Sequence, residues 1–185
     1  MFGVKRLEDH LALSGRRFER RFTRRNAEAW ERIGQRKALA VFHQAARRVP
    51  AYRDFLTRHG VQPERIESFQ QLQQIPVTEK ANYIDHYPLE DLVWDGNLSR
   101  AGLLNTSSGT LGKTYTWPTS AEEWVEAAAL HELLYRNHFG IAGASTLLVV
   151  SFGMGPWIAG SYTIAASQHL GRKGYDFTMV TPGFN

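Results

Sequence analysis

The sequence predicts an α/β chain in which a helical N-terminal segment leads into a β-hairpin and then one parallel βαβ unit. Apolar residues recur at turn spacing through the first part of the chain, as helices require. "RAGLLNT" and "TYTWPT" flank a turn made almost wholly of small residues, the pattern of two strands joined by a loop. "STLLVVS" and "YDFTMVT" bracket the helical stretch "IAGSYTIAASQHLG", and strand, helix, strand at this length makes one parallel crossover.

Composition sets the limits. The 185 residues are 43% hydrophobic and 22% charged, which is globular rather than disordered. Cysteine is absent, which excludes a disulfide framework, a thiolate zinc site and a thiol nucleophile, and suits a cytoplasmic setting. Charges run through "MFGVKRLEDHLALSG", where a signal peptide needs an apolar core, and no apolar stretch has membrane-spanning length. Of the histidines, His131 and His138 could share a helix face, but "HELLYRNH" lacks the spacing of a zinc protease, so no metal site is expected. Positive charge is concentrated at one end. Residues 1–48 hold 13 Lys/Arg against 5 Asp/Glu, and residues 49–185 hold 9 against 13.

In chain order, residues 16–49 read as helix interrupted near Gly34, with Phe18 and Phe22, then Val41 and Ala45, four apart. Paired arginines at 16–17, 20–21 and 24–25 form its polar face, a solvated surface in preference to a nucleic-acid or membrane arm. Pro50 ends it, because the ring disfavours helical geometry in the preceding residue. "AYRDFLTRHG" is a short helix closed by Gly60, "ERIESFQQLQQI" a second stopped before Pro76, and "TEKANYIDHY" a third capped by Thr78. After the two strands, Ser120 and Glu123 form the capping-box pattern that opens the helix "AEEWVEAAALHELLYRNHFG", stopped by Gly140. "STLLVVS" is a continuous apolar run, expected to be buried on both faces.

The loop "SSGTLGK" ends as a P-loop ends, with Gly112-Lys113-Thr114, but Ser107 stands where a P-loop has its first glycine. A P-loop also runs directly into a helix whose amides help hold phosphate, whereas β-branched and aromatic residues and then Pro118 follow here. The loop therefore joins two strands and is not a P-loop. Its residues still suit an anion. Gly109 and Gly112 let backbone N–H groups turn inward, Ser107, Ser108 and Thr110 add hydroxyls, and Lys113 adds a mobile cation. A solvent-facing turn rich in glycine and serine is the plain alternative.

"TSSGTLGKT" resembles the phosphate loop of the adenylate-forming enzymes. "VPAYRDF", "IPVTEK" and "SFGMGPWIAG", in that order, resemble the phenylacetate–CoA ligase branch, and the likeness spans residues 38–185. The resemblance implies activation of a carboxylic acid by ATP to an acyl-AMP, with Mg²⁺ assisting departure of pyrophosphate, and then transfer of the acyl group to coenzyme A. It implies that Ser107, Ser108, Gly109, Thr110, Gly112 and Lys113 hold the β- and γ-phosphates. Phe152, Gly153, Met154, Gly155 and Trp157 would line an acyl pocket suited to an aromatic acid, with core packing the alternative for Trp157. Two residues depart from the family pattern. Leu111 replaces a hydroxyl residue and Thr114 replaces proline, which removes one donor and loosens the exit strand. The family's later segments, including those expected to meet Mg²⁺, adenine and ribose and the mobile domain with its catalytic lysine, have no counterpart. The expected organisation is thus a basic helical segment, residues 1–48, followed by a partial AMP-binding domain, residues 49–185, forming the N-terminal part of a larger ligase. On this expectation the isolated chain is inactive, and its partners are the acid, ATP, CoA and a complementary C-terminal half. An acceptor other than CoA is the competing function, in cofactor or polysaccharide synthesis.

Overall fold

The computed structural model describes residues 19–20, 23–109, 112–153, 155 and 157–182. Of the residues singled out above, Arg16, Arg17, Phe18, Arg21, Phe22, Thr110, Leu111 and Met154 lie outside the described residues. By contact the chain forms two compact units, residues 25–100 and residues 101–185 together with 1–24.

In the first unit, helix α1 (Ala27–Arg48) begins at Asn26, whose side chain accepts the Ala29 N–H at 2.9 Å. Gly34 does not interrupt it, contrary to the expected break. One interior glycine costs about 1 kcal/mol. The Glu28–Arg32 and Glu31–Gln35 pairs support the turns around it. Val49 closes α1 by donating to the Ala45 carbonyl, and Pro50 opens α2 (Pro50–Arg58), where its missing N–H is no loss. Gly60, at φ +67°, turns the chain out of α2.

The next two expected helices are largely absent. Residues 64–75 form a 3₁₀ turn at Pro63–Arg65 and a single α turn, α3 (Phe69–Leu72). Ser68 and Gln71 make a reciprocal capping box, so the backbone starts afresh at Ser68 and does not run through it. From Thr78 the chain makes turns and a 3₁₀ segment at Ile84–His86. Here the Asn82 side chain accepts the Glu79 N–H at 2.7 Å and donates to the Val77 carbonyl, a local alternative that competes with helix. Further 3₁₀ turns follow at Leu89–Leu92, Trp94–Gly96 and Leu98–Arg100. Asp95 is held at φ +59° by two bonds from the Arg48 guanidinium, 2.8 and 2.6 Å long. The core of the unit is Phe42, Ala46, Phe55 and Leu56, ringed by Tyr52, Tyr83 and Ile66. Burial pushes the Tyr83 phenol up to about 12.

In the second unit, β1 (Leu103–Thr106) and β2 (Thr116–Thr119) form an antiparallel hairpin with Asn105 opposite Trp117. Helix α4 (Ala121–Phe139) starts with the expected Ser120–Glu123 capping box and stops at Gly140, which is left-handed at φ +65°. Strand β3 (Thr146–Val149), helix α5 (Ile158–Arg172) and strand β4 (Phe177–Val180) form the parallel βαβ crossover, with Leu148 opposite Met179. Leu148 and Phe177 pack on Tyr135, Ile141 and Leu170. Burial of β3 on both faces is corrected: Leu147 and Val149 are 64% and 52% exposed, because only one face of this two-stranded sheet is covered.

Between α4 and the end of α5 lies a buried ionic group. The Glu132 carboxylate, 2% exposed, pairs with Lys173 and accepts the Tyr175 hydroxyl at 2.7 Å. Arg136 donates to Tyr175 at 3.0 Å and to Glu19 at 3.3 Å. Burial, followed by the bond to Glu132, raises the Tyr175 phenol. Beside them, burial and then Lys173 lower the His169 imidazole, whose Nε2 has no hydrogen-bond partner among the described residues.

Candidate functional site

Loop 107–115 is tied at its mouth by a pair of bonds. The Ser107 N–H donates to the Tyr115 carbonyl and the Tyr115 N–H donates to Ser107 Oγ, both at 2.9 Å. Because Ser107 Oγ accepts, its own hydrogen remains available to donate into the loop. Inside the loop the Gly112 N–H reaches the Gly109 carbonyl at 2.8 Å. Gly109 has φ +66°, and a Cβ there would lie 2.7 Å from Thr114 Cγ2, so conformation and space both demand glycine. Gly112, at φ +90°, faces open space. Ser108 and Lys113 are exposed, with Lys113 Nζ 5.3 Å from the centre of the Tyr115 ring. Lys113 is the sole charged side chain from Asn105 to Thr119, so no carboxylate of this stretch opposes an anion.

The root of the loop is bolted to α5 by residues that the sequence reading did not single out. Asn105 is 1% exposed. Its Nδ2 donates to Thr119 Oγ1 at 2.9 Å, across the hairpin, and its Oδ1 accepts the Ser161 hydroxyl at 2.7 Å. Next to it, Thr106 pairs with Trp157 in a single parallel bridge. The signal for Asn105 was legible: an amide in the run "LLNT" has to find partners if that strand position faces inward.

The bridge brings turn 152–157 alongside the loop's root. Phe152 is 53% exposed, Gly153 and Trp157 are half-buried, and Gly155 sits at φ +92°. The bridge places Trp157 beside Thr106, at the root of the loop, and both the loop and the turn fall in the same unit. Elsewhere, His131 Nδ1 lies 2.8 Å from the Ala127 carbonyl of its own helix, and the described residues contain no group of three His, Asp or Glu side chains that could hold a metal ion. No described helix is long and apolar enough to cross a membrane.

No family model and no curated protein matches the chain. Solved structures do. A crystal structure of 2-hydroxyisobutyryl-CoA ligase with 2-HIB-AMP and CoA, in its thioester-forming state, matches with a TM-score of 0.60 and 20% identity, covering 80% of this chain and 32% of that one. The same ligase in its post-adenylation state, with R3-HIB-AMP, matches with a TM-score of 0.59 and 17% identity over 80% and 30% of the two chains. The chain thus has the α/β fold of the N-terminal part of an adenylate-forming enzyme. It spans about a third of the length of the solved structures it matches.

Proposed function

We propose that this chain is the phosphate-holding part of an AMP-forming acid–CoA ligase of the phenylacetate–CoA ligase type, acting in the cytoplasm with a complementary part. The observation that carries this reading is the joining of loop 107–113 to turn 152–157 through the Thr106–Trp157 bridge and the Asn105–Ser161 bond. A cradle for the tail of a nucleotide and an aromatic turn for an acyl group are then neighbours, as in-line attack of a carboxylate on the α-phosphorus of ATP requires.

In this reading the amide of Gly109, the hydroxyls of Ser107, Ser108 and Thr110, and the Lys113 ammonium hold the β- and γ-phosphates, with Gly112 closing the turn around them. They neutralise charge that grows on pyrophosphate as it leaves. Phe152, Gly153, Met154, Gly155 and Trp157 line the side that receives an aromatic acid. The loop's composition supports a polyphosphate: its one charged side chain is positive. Mg²⁺ is assigned to the complementary part. That ion supplies charge neutralisation at the leaving phosphates. Coenzyme A then takes the acyl group through its thiol and AMP departs.

Titration of the chain with pyrophosphate by calorimetry tests the cradle. Lys113→Ala weakens binding by about tenfold, the worth of one charge-assisted contact, and leaves the melting temperature unchanged because the side chain is exposed. Absence of binding to the unaltered chain sinks the phosphate assignment. Acid-dependent ATP–pyrophosphate exchange by the chain alone sinks the assignment to a partial enzyme.

A further inference from the structure

A groove of about 600 Å³ runs along α1 within the helical unit, remote in sequence from the loop and the turn. Its apolar lining is Ala29, Ile33, Leu39 and Phe69, all half-buried, with Gln35, Ser68 and Gln70 beside them. Its rim is cationic. Arg25, Arg32 and Arg36 line it and are exposed, against one carboxylate, Glu67. Residues 25, 29, 32, 36 and 39 step by four and three, so the arginines and the apolar lining share one face of α1 and its entry. From Arg25 to Leu39 that face runs for about 20 Å, the length of roughly fourteen helical residues. Arg32 also bonds Glu28 at 2.8 Å, but both side chains of that pair are mostly exposed, and such pairs contribute little and exchange readily. The Arg25 guanidinium rests 5.3 Å from the Trp30 ring centre.

We propose that this groove docks an acidic amphipathic helix of another protein, with its apolar side on Ile33, Leu39 and Phe69 and its carboxylates on the three arginines. Charge complementarity sets the sign of the partner and the apolar lining sets its kind. A nucleic acid presents phosphate along its whole contact, and here four apolar side chains and a glutamate are among the lining residues. A lipid surface is flat and meets a raised basic face in preference to a concave one. The groove also gives a use to part of the positive charge concentrated in residues 1–48.

The test uses the full chain and a fluorescein-labelled helical peptide of about sixteen residues, with leucines along one side flanked by glutamates. Fluorescence anisotropy is expected to report saturable binding that weakens as salt rises. The Arg32→Glu/Arg36→Glu double variant and, independently, Arg25→Glu are expected to weaken it by about tenfold or more, with unchanged circular dichroism because these side chains are exposed. A peptide of identical composition with its periodicity scrambled is expected to bind about tenfold more weakly. No binding, equal binding of the scrambled peptide, or unaltered binding by the charge-reversed variants overturns the proposal. So does tighter binding of duplex DNA or of phosphatidylserine vesicles than of the peptide. None of these outcomes bears on pyrophosphate binding at loop 107–113.

Discussion

In residues 25–100 the interior is built from rings and aliphatic groups, whereas in residues 101–182 buried polar groups share it. Phe55 lies against Tyr52, His59 and Tyr83, and Phe42 meets Tyr52 edge-on. The buried polar residues Asn105, Thr119, Glu132 and Ser167 all fall in the other unit. Apolar packing is tolerant of small displacements, because dispersion and water exclusion have little directionality. Hydrogen bonds between buried groups fix atoms to a few tenths of an ångström and penalise alternatives. The unit that carries the loop and the aromatic turn is thus the one built for position, and the helical unit is built for cohesion.

Six substitutions, in four tests, sharpen or break that contrast. The largest effect is expected from Phe55→Ala, which removes a ring 1% exposed from the centre of the helical core. It should cost about 4 kcal/mol, read as a lowered urea midpoint for the transition of that unit. Next is Lys173→Met, which leaves the buried Glu132 carboxylate without its cation and should cost about 3 kcal/mol. Adding Glu132→Gln should restore most of that loss in a double-mutant cycle; additive losses would show that the two side chains act independently.

Asn105→Ala follows at about 2 kcal/mol, because it takes the buried Asn105 amide from Thr119 and leaves Ser161 only the carbonyls of Trp157 and Ile158. Its diagnostic companion is Asn105→Asp. Both hydroxyls can donate to a carboxylate, so the fold survives, while a buried negative charge beneath the loop should weaken pyrophosphate binding. Equal pyrophosphate affinity in Asn105→Asp and the unaltered chain would falsify the positional role of this residue.

The smallest effect concerns Asp95, exposed and bonded to Arg48, whose bonds hold its carboxyl below the usual carboxylate range. A carboxyl lowered in the folded state contributes stability above its unfolded pKa, about 3.9, and loses it as pH falls through the folded value. Asp95→Asn should therefore lower the melting temperature slightly at neutral pH, where the bonded carboxylate is present, and flatten the acid limb of the profile below about pH 4, where the two chains converge.

The hairpin, both ends of α4 and the βαβ crossover were legible because local chemistry and tertiary packing agree there. Ser120 and Glu123 cap, Gly140 turns left-handed, and apolar runs lie where strands pair. Residues 64–87 were misread because apolar spacing there is real but local side chains intervene: Ser68 restarts the backbone, and Asn82 closes a turn on Val77 and Glu79. Gly34 was misread in the opposite sense, since the propensity of one residue is small beside the packing of a helix as long as α1. At the site, the loop glycines and hydroxyls were visible as types. The bolt of Asn105, Thr119 and Ser161 was not, because it links residues 56 apart in sequence, and periodicity carries no information at that range.

The Ser107 hydroxyl has a further consequence. An alcohol whose lone pair is already taken by an amide proton is polarised, and its own hydrogen becomes more acidic in character than that of a solvated serine. In the proposed function, an incoming oxyanion would meet a donor strengthened by the hairpin's own closure.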